Sequence, residues 1–214
     1  MKKSFFILLC LVTLLSSCIE IVEEVTINSN KSGTVNISMD LGTLGGLALK
    51  NMGEKYVPKS TLELLNKLPE TMAEMLKEVN GLSNIKSASN KNGLYMVRFD
   101  FENVKQLNQA VYKLFQIKKR FYEPNYIRLT SHKLIKKNYA PLLRIFAKKY
   151  EDQLGDKNLL QKVYYKSLIH FPNEATRFTN KNASLSANSK TVEYKCTLQE
   201  LLTSKVNIGN KIKY

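Results

Sequence analysis

The stretch Glu24-Val25-Thr26-Ile27-Asn28-Ser29-Asn30-Lys31-Ser32-Gly33-Thr34-Val35-Asn36-Ile37-Ser38-Met39-Asp40 decides the fold. Its second arm alternates strictly. Val35, Ile37, Met39 and the following Leu41 take one face; Thr34, Asn36, Ser38 and Asp40 take the other. Period-two patterning of this kind belongs to a half-buried strand. Ser29-Asn30-Lys31-Ser32-Gly33 is turn chemistry, so the two arms predict a β-hairpin. The first arm reaches back to residue 19. Ile19, Ile21, Val25 and Ile27 share a face, and Glu23 interrupts it.

Downstream, Ser60-Thr61-Leu62-Glu63 has the form of a capping box. Leu62, Leu65, Met72, Met75, Leu76 and Val79 then recur at helical spacing, with Pro69 predicting a kink or a restart and Asn80-Gly81 a stop. Met72 and Met75 are read as core filling, not as metal ligands. Leu41-Gly42-Thr43-Leu44-Gly45-Gly46-Leu47 lacks the spacing of a phosphate-binding loop and is read as a strand-to-helix connection. A second hairpin is expected from residues 85–89 and 94–101, with Tyr95, Val97, Phe99 and Phe101 on one face. Asn103-Val104-Lys105-Gln106 opens an amphipathic helix carrying Leu107, Ala110, Val111, Leu114 and Phe115 inward. Residues 163–170 predict a strand, and residues 183–185 and 190–197 a hairpin that points Val192, Tyr194 and Cys196 one way. Thr197-Leu198-Gln199-Glu200 caps a short final helix, followed by a tail bearing Lys205, Lys211 and Lys213.

Residues 117–150 are the most basic part of the chain. Lys118, Lys119, Arg120, Lys133, Lys136 and Lys137 stand among Tyr122, Tyr126, Tyr139 and Phe146, with Glu123 as the one acid. Residues 126–136 read as one long strand and residues 141–153 as a helix with Pro141 in its first turn. Basic residues interleaved with aromatics suit single-stranded nucleic acid or anionic head groups. The same composition also suits a solvated strand face beside a helix.

The beginning of the chain gives an address. Lys2 and Lys3 precede an apolar run over residues 5–15, of signal-peptide length and too short to span a bilayer. Leu15-Ser16-Ser17-Cys18 then resembles a bacterial lipobox. By that resemblance residues 1–17 are a signal peptide and Cys18 is the first mature residue. Cys18 then carries diacylglycerol and a further acyl chain such as palmitate. Ile19, rather than Asp, follows it, so the outer membrane is expected if the host has two. No flexible tether separates Cys18 from the first strand, which holds the domain close to the bilayer.

Residues 18–214 suit a single domain large enough to bury a core. The whole 214-residue chain carries a net charge of +15, with Lys and Arg numbering 33 against 18 acids. Such a balance prefers polyanions. An exported, tethered protein meets anionic lipid or glycolipid rather than nucleic acid, so no nucleic-acid partner is expected. An AT-rich genome produces the same Lys and Asn enrichment. Of the three cysteines, Cys10 leaves with the signal and Cys18 is lipidated, leaving Cys196 as a buried small hydrophobe with no disulfide partner.

The order of these elements resembles the LppM-type domain of bacterial lipoproteins. The resemblance rests on the lipidated cysteine, the immediate hairpin, Phe171-Pro172-Asn173-Glu174, Asn182-Ala183-Ser184, Lys190-Thr191-Val192-Glu193-Tyr194 and the closing helix. The family usually has Pro-Gly where this chain has Pro172-Asn173, and often Trp where Tyr194 stands. Many of its members also end in a membrane helix. The resemblance implies an α+β fold, with a curved antiparallel sheet of several hairpins packed on two or three helices. That architecture is related to helix-grip folds that hold apolar or glycolipid ligands.

The resemblance brings no catalytic residue. His132 and His170 stand without a metal-ligand or nucleophile partner at recognisable spacing, and Glu20, Glu23 and Glu24 read as solvated carboxylates near the anchor. The expectation is a non-enzymatic, lipid-anchored binding module without cofactor or metal. The alternative is an envelope structural or protein-interaction lipoprotein whose partner the sequence does not name. A cleft joining either histidine to a carboxylate or hydroxyl would favour an enzyme instead. If Cys18 is the anchor, Cys18→Ser abolishes cleavage after Ser17 and firm membrane association in fractionation; unchanged cleavage and association would contradict the lipobox.

Overall fold

The computed structural model describes residues 19–41, 59–90, 93–117, 125–149, 160–203 and 206–214. Cys18, Lys118, Lys119, Arg120, Lys205 and the glycine-rich connection beginning at Gly42 lie outside them, as does the side chain of Ser60.

The expected hairpin is present. Strand β1 (Ile19–Ile27) pairs antiparallel with β2 (Gly33–Asp40), Val25 opposite Val35 and Glu23 opposite Ile37. Gly33 is set by a close approach: a Cβ there would sit 2.0 Å from the Thr26 carbonyl oxygen and 2.6 Å from the Phe101 ring. Helix α1 (Lys59–Lys77) runs through Pro69 as one element, without the predicted restart. Strands β3 (Leu82–Ser89) and β4 (Leu94–Phe101) form the second hairpin, and β4 continues the sheet against β2. Helix α2 (Val104–Leu114) opens on the expected cap. The Asn103 side chain accepts from the Lys105 and Gln106 amides, and Gln106 Oε1 accepts from the Asn103 amide at 2.9 Å.

The basic segment differs from its sequence reading. It contains two short strands, β5 (Ile127–Leu129) and β6 (Lys133–Lys136), rather than one long one. The Thr130 amide donates to the Lys133 carbonyl at 2.9 Å and closes a turn through Ser131 and His132. Helix α3 (Ala140–Lys149) follows, with Pro141 in its first turn. The rest of the chain supplies β7 (Val163–His170), β8 (Arg177–Phe178), β9 (Ala183–Leu185), β10 (Thr191–Thr197), α4 (Leu198–Thr203) and β11 (Asn210–Lys213). The cap on α4 is reciprocal, as its spacing predicts: Thr197 Oγ1 accepts from the Glu200 amide and Glu200 Oε2 from the Thr197 amide.

The architecture is α+β, with an open seven-stranded sheet ordered β3-β4-β2-β1-β7-β10-β9. It is mixed rather than antiparallel throughout, because β1 and β7 pair in parallel, Glu23 beside Ser167 and Val25 beside Ile169. A parallel neighbour requires a long crossover, and here most of the chain forms it. Strands β5 and β6 of that crossover join β8 and β11, which follow β7, in a second, four-stranded sheet ordered β5-β6-β11-β8. The expected basic tail is therefore a paired strand, β11, whose Ile212 is fully buried.

The core follows the alternation. Val25, Ile27, Val35, Val97, Phe99 and Phe101 point from the large sheet and meet Leu76 of α1, Leu107 and Ala110 of α2, and Leu134 and Ile212 of the small sheet. Asn108 of α2 is buried but satisfied. Its Oδ1 accepts from the Ile127 amide at 3.0 Å, and its Nδ2 donates to the Ile127 carbonyl at 2.8 Å, pinning α2 to the edge of the small sheet. A second cluster gathers Tyr139, Tyr165, Tyr194, Cys196 and Leu201 below α3 and α4. Cys196 is buried and free, as expected, and burial raises its thiol pKa.

Candidate functional site

Along β1 the odd-numbered residues face the core, so Glu23 is delivered inward between Ile21 and Val25. Along β6 the even-numbered residues do the same, so Lys136 points inward with Leu134. The two charges meet across the gap between the sheets. Lys136 Nζ lies 2.5 Å from Glu23 Oε2, with side-chain exposures of 4 % and 15 %. Lys136 also donates to Ser167 Oγ on β7 at 2.9 Å. The Tyr139 hydroxyl donates to Glu23 Oε2 at 2.5 Å, the Tyr165 hydroxyl donates to the same oxygen, and the two phenols lie 3.0 Å apart. The Lys136 ammonium sits 4.9 Å from the centre of the Tyr139 ring, a cation–π contact.

Burial alone would raise the Glu23 pKa. The Lys136 charge, with the hydrogen bonds from Lys136, Tyr139 and Tyr165, outweighs it and holds the carboxyl below its ordinary value. Burial first, and the neighbouring carboxylate second, push both tyrosines well above theirs. At neutral pH the carboxyl is therefore an anion and both phenols are neutral.

This cluster forms part of the wall of an apolar cavity of about 270 Å³. Ile21 and Val25 of β1, Ile37 of β2, Met72 and Met75 of α1 and Leu114 of α2 supply much of the lining. Leu143 of α3 and Leu198 and Leu201 of α4 also border it. Glu23, Tyr139 and Tyr165 are its buried polar edge, whereas Thr71 and Gln116, the other polar lining groups, are exposed. Met72 packs against the core and also lines the cavity, whereas Met75 is placed in its lining.

The residues singled out in the sequence fare differently. Lys133 and Lys137 are partly exposed on and just beyond β6. Lys136 is not a surface charge: its place in the alternation turns it inward, and its ion pair and hydrogen bonds hold it there. Glu23 is likewise a buried partner and not a solvated carboxylate near the anchor. His132 is exposed in the β5–β6 turn. His170 does meet a carboxylate and a hydroxyl, with Nε2 2.9 Å from Glu24 Oε1 and Nδ1 2.8 Å from Thr191 Oγ1. That trio occupies the outer face of the large sheet, opposite the cavity, beside the cross-strand pairs Lys195–Glu20 and Lys166–Glu193. Among the described residues no group of three or more His, Cys, Asp or Glu side chains could hold a metal ion, and no helix is long and apolar enough to cross a membrane.

No family model and no curated protein matches the sequence. Among solved structures, the chain is similar to the folded domain of LppM from Mycobacterium tuberculosis, determined by NMR. The two share 9 % identity at a TM-score of 0.41, over 92 % of this chain and 88 % of that one.

The sign of the Glu23 shift gives a test. A carboxyl held below its unfolded value of about 4.3 contributes stability that is complete above that value. The contribution is lost as pH falls through the folded value. Glu23→Gln leaves Lys136 buried without its anion, a loss of about 3–5 kcal/mol at neutral pH. In melts across pH, the stability gap between the parent and Glu23→Gln narrows below about pH 4. A gap that stays constant into acid would show that the carboxylate is not the stabilising partner.

Proposed function

We propose that this chain is a lipid-anchored, non-catalytic binding module of a bacterial cell envelope and that the cavity between the large sheet and helices α1 and α2 is its ligand site. The cavity, of about 270 Å³ and walled chiefly by aliphatic and aromatic side chains, is the observation that carries this reading. Its size approaches the lower end of ordinary small-molecule sites, roughly 300 Å³. Protein interiors are close-packed, and a void walled by apolar groups is expensive. This cavity is partly open, so its apolar walls are left facing water at a cost of roughly 25 cal/mol per Å² of apolar surface. An apolar occupant offsets that cost.

The anchor and the outer-membrane address rest on the lipobox-like segment ending at Cys18. An anionic bilayer contact is proposed for Lys118, Lys119, Arg120, Lys133 and Lys137, without Lys136. The alternative, an interaction protein without a ligand, calls for an exposed apolar patch. Among the described residues the large exposed hydrophobics are Ile145 on α3 and Leu185 on β9, two isolated side chains on separate elements.

Filling the cavity separates the two readings. Ala110→Leu on α2 or Ile37→Phe on β2 places new carbon in its walls. Mass spectrometry of the full chain extracted gently from its own membrane is expected to find a non-covalently held apolar or glycolipid molecule. The filled variants are expected to retain less than about a tenth of it while melting within a few degrees of the parent. Equal lipid on parent and filled variants, or none on the parent, would overturn the ligand-site reading.

A further inference from the structure

The hydrogens of the polar cluster can be counted. Lys136 has three, and they are directed to Glu23 Oε2 at 2.5 Å, Ser167 Oγ at 2.9 Å and the Tyr165 hydroxyl oxygen at 3.5 Å. Each phenol has one, and both go to Glu23 Oε2. Every donor on Lys136, Tyr139 and Tyr165 is therefore turned into the cluster. All the hydrogen bonds to Glu23 converge on Oε2, and among the described residues none donates to Oε1. What Glu23, Tyr139 and Tyr165 have left for a ligand is lone pairs. Lys136 and Ser167 do not line the cavity.

From this count we infer that the cavity takes a neutral amphiphile, an apolar chain ending in a hydroxyl that donates to Glu23, and discriminates against the corresponding carboxylate. The inference rests on the reading of the cavity as a ligand site and adds the chemistry of the ligand's head. A carboxylate head placed against Glu23 would meet an anion whose neighbouring donors on Lys136, Tyr139 and Tyr165 are already committed, and would lose its hydration. A plain alkane would fill the apolar walls but leave the acceptor face unmatched, and a site built to hydrogen-bond a hydroxyl penalises the analogue that lacks it. The head group lies at the Glu23 end and the chain runs along the Met72 and Met75 side toward α1. At roughly 30 Å³ per methylene-sized group, comparable with the volume share of a water molecule, the cavity of about 270 Å³ accommodates a chain of about nine carbons.

The test uses the full chain in phosphatidylcholine nanodiscs with carbon-13 labels on its methionine methyl groups. Met72 and Met75 line the cavity and report entry directly, whatever fraction of a probe dissolves in the bilayer. Octan-1-ol, octane and octanoate are titrated at neutral pH. The expected result is that octan-1-ol shifts both methyl resonances at concentrations at least about tenfold lower than either of the others. Octanoate or octane acting as well as octan-1-ol would overturn the head-group inference while leaving the cavity as a ligand site. No response to any of the three would overturn the ligand-site reading and this inference with it. The paired variant Glu23→Gln with Lys136→Met removes both charges together and avoids an unpaired buried ion. It also turns an amide donor toward the cavity, so the preference for octan-1-ol over octanoate is expected to shrink to about twofold or less. An undiminished preference in that variant would show that recognition does not run through Glu23.

Discussion

The Glu23–Lys136 pair is the contact on which the arrangement of this molecule depends. Glu23 sits in the middle of the large sheet, on the strand paired with both β2 and β7. Lys136 sits at the end of β6 in the small sheet. Each charge taken out of water carries a penalty of several kcal/mol. A 2.5 Å ion pair, two phenol donors and the Ser167 hydroxyl counter that penalty in one place. Such a pair adds little net stability compared with well-packed apolar residues. It does penalise every arrangement of the two sheets that separates the partners. Here it fixes the small sheet against one position along β1.

That position shapes the cavity. The pair holds Tyr139 and Tyr165 side by side at one edge, while α1 and α2 close over the other side with Met72, Met75 and Leu114. The donors of Lys136, Tyr139 and Tyr165 are all committed within the cluster, so this edge turns only acceptor lone pairs toward the apolar space. The outer face of the same sheet has the opposite character. Its pairs Glu20–Lys195, Glu193–Lys166 and Glu24–His170 are substantially exposed and belong to the solvated surface. One strand, β1, thus carries two kinds of carboxylate, and the pleat alone sorts them.

The local elements were legible in the sequence because their signals are local. The first hairpin follows from alternation around a glycine-bearing turn, and the Asn103–Gln106 and Thr197–Glu200 caps follow from spacing within one helical turn. The parallel β1–β7 pairing was not legible, since nothing within either strand names a partner 142 residues away, the separation of Glu23 and Tyr165. The small sheet was missed because its turn, Ser131-His132, is short and polar and lies inside an otherwise continuous β-rich run. The site was half legible. Alternation places Glu23 on the face of Ile21 and Val25, and it places Lys136 on the face of Leu134. Two inward charges of opposite sign in one domain imply a buried pair. Taken singly, each passed for a solvated residue. Tyr139 lies in neither a strand nor a helix, so no periodicity marked it.

A double-mutant cycle on Glu23→Gln and Lys136→Met tests the central claim most directly, by chemical denaturation of the parent, both single variants and the pair. The account predicts a coupling of at least about 2 kcal/mol, with the paired variant more stable than Glu23→Gln alone. Additive losses, to within about 0.5 kcal/mol, would contradict it and leave the two sheets held together by apolar packing alone.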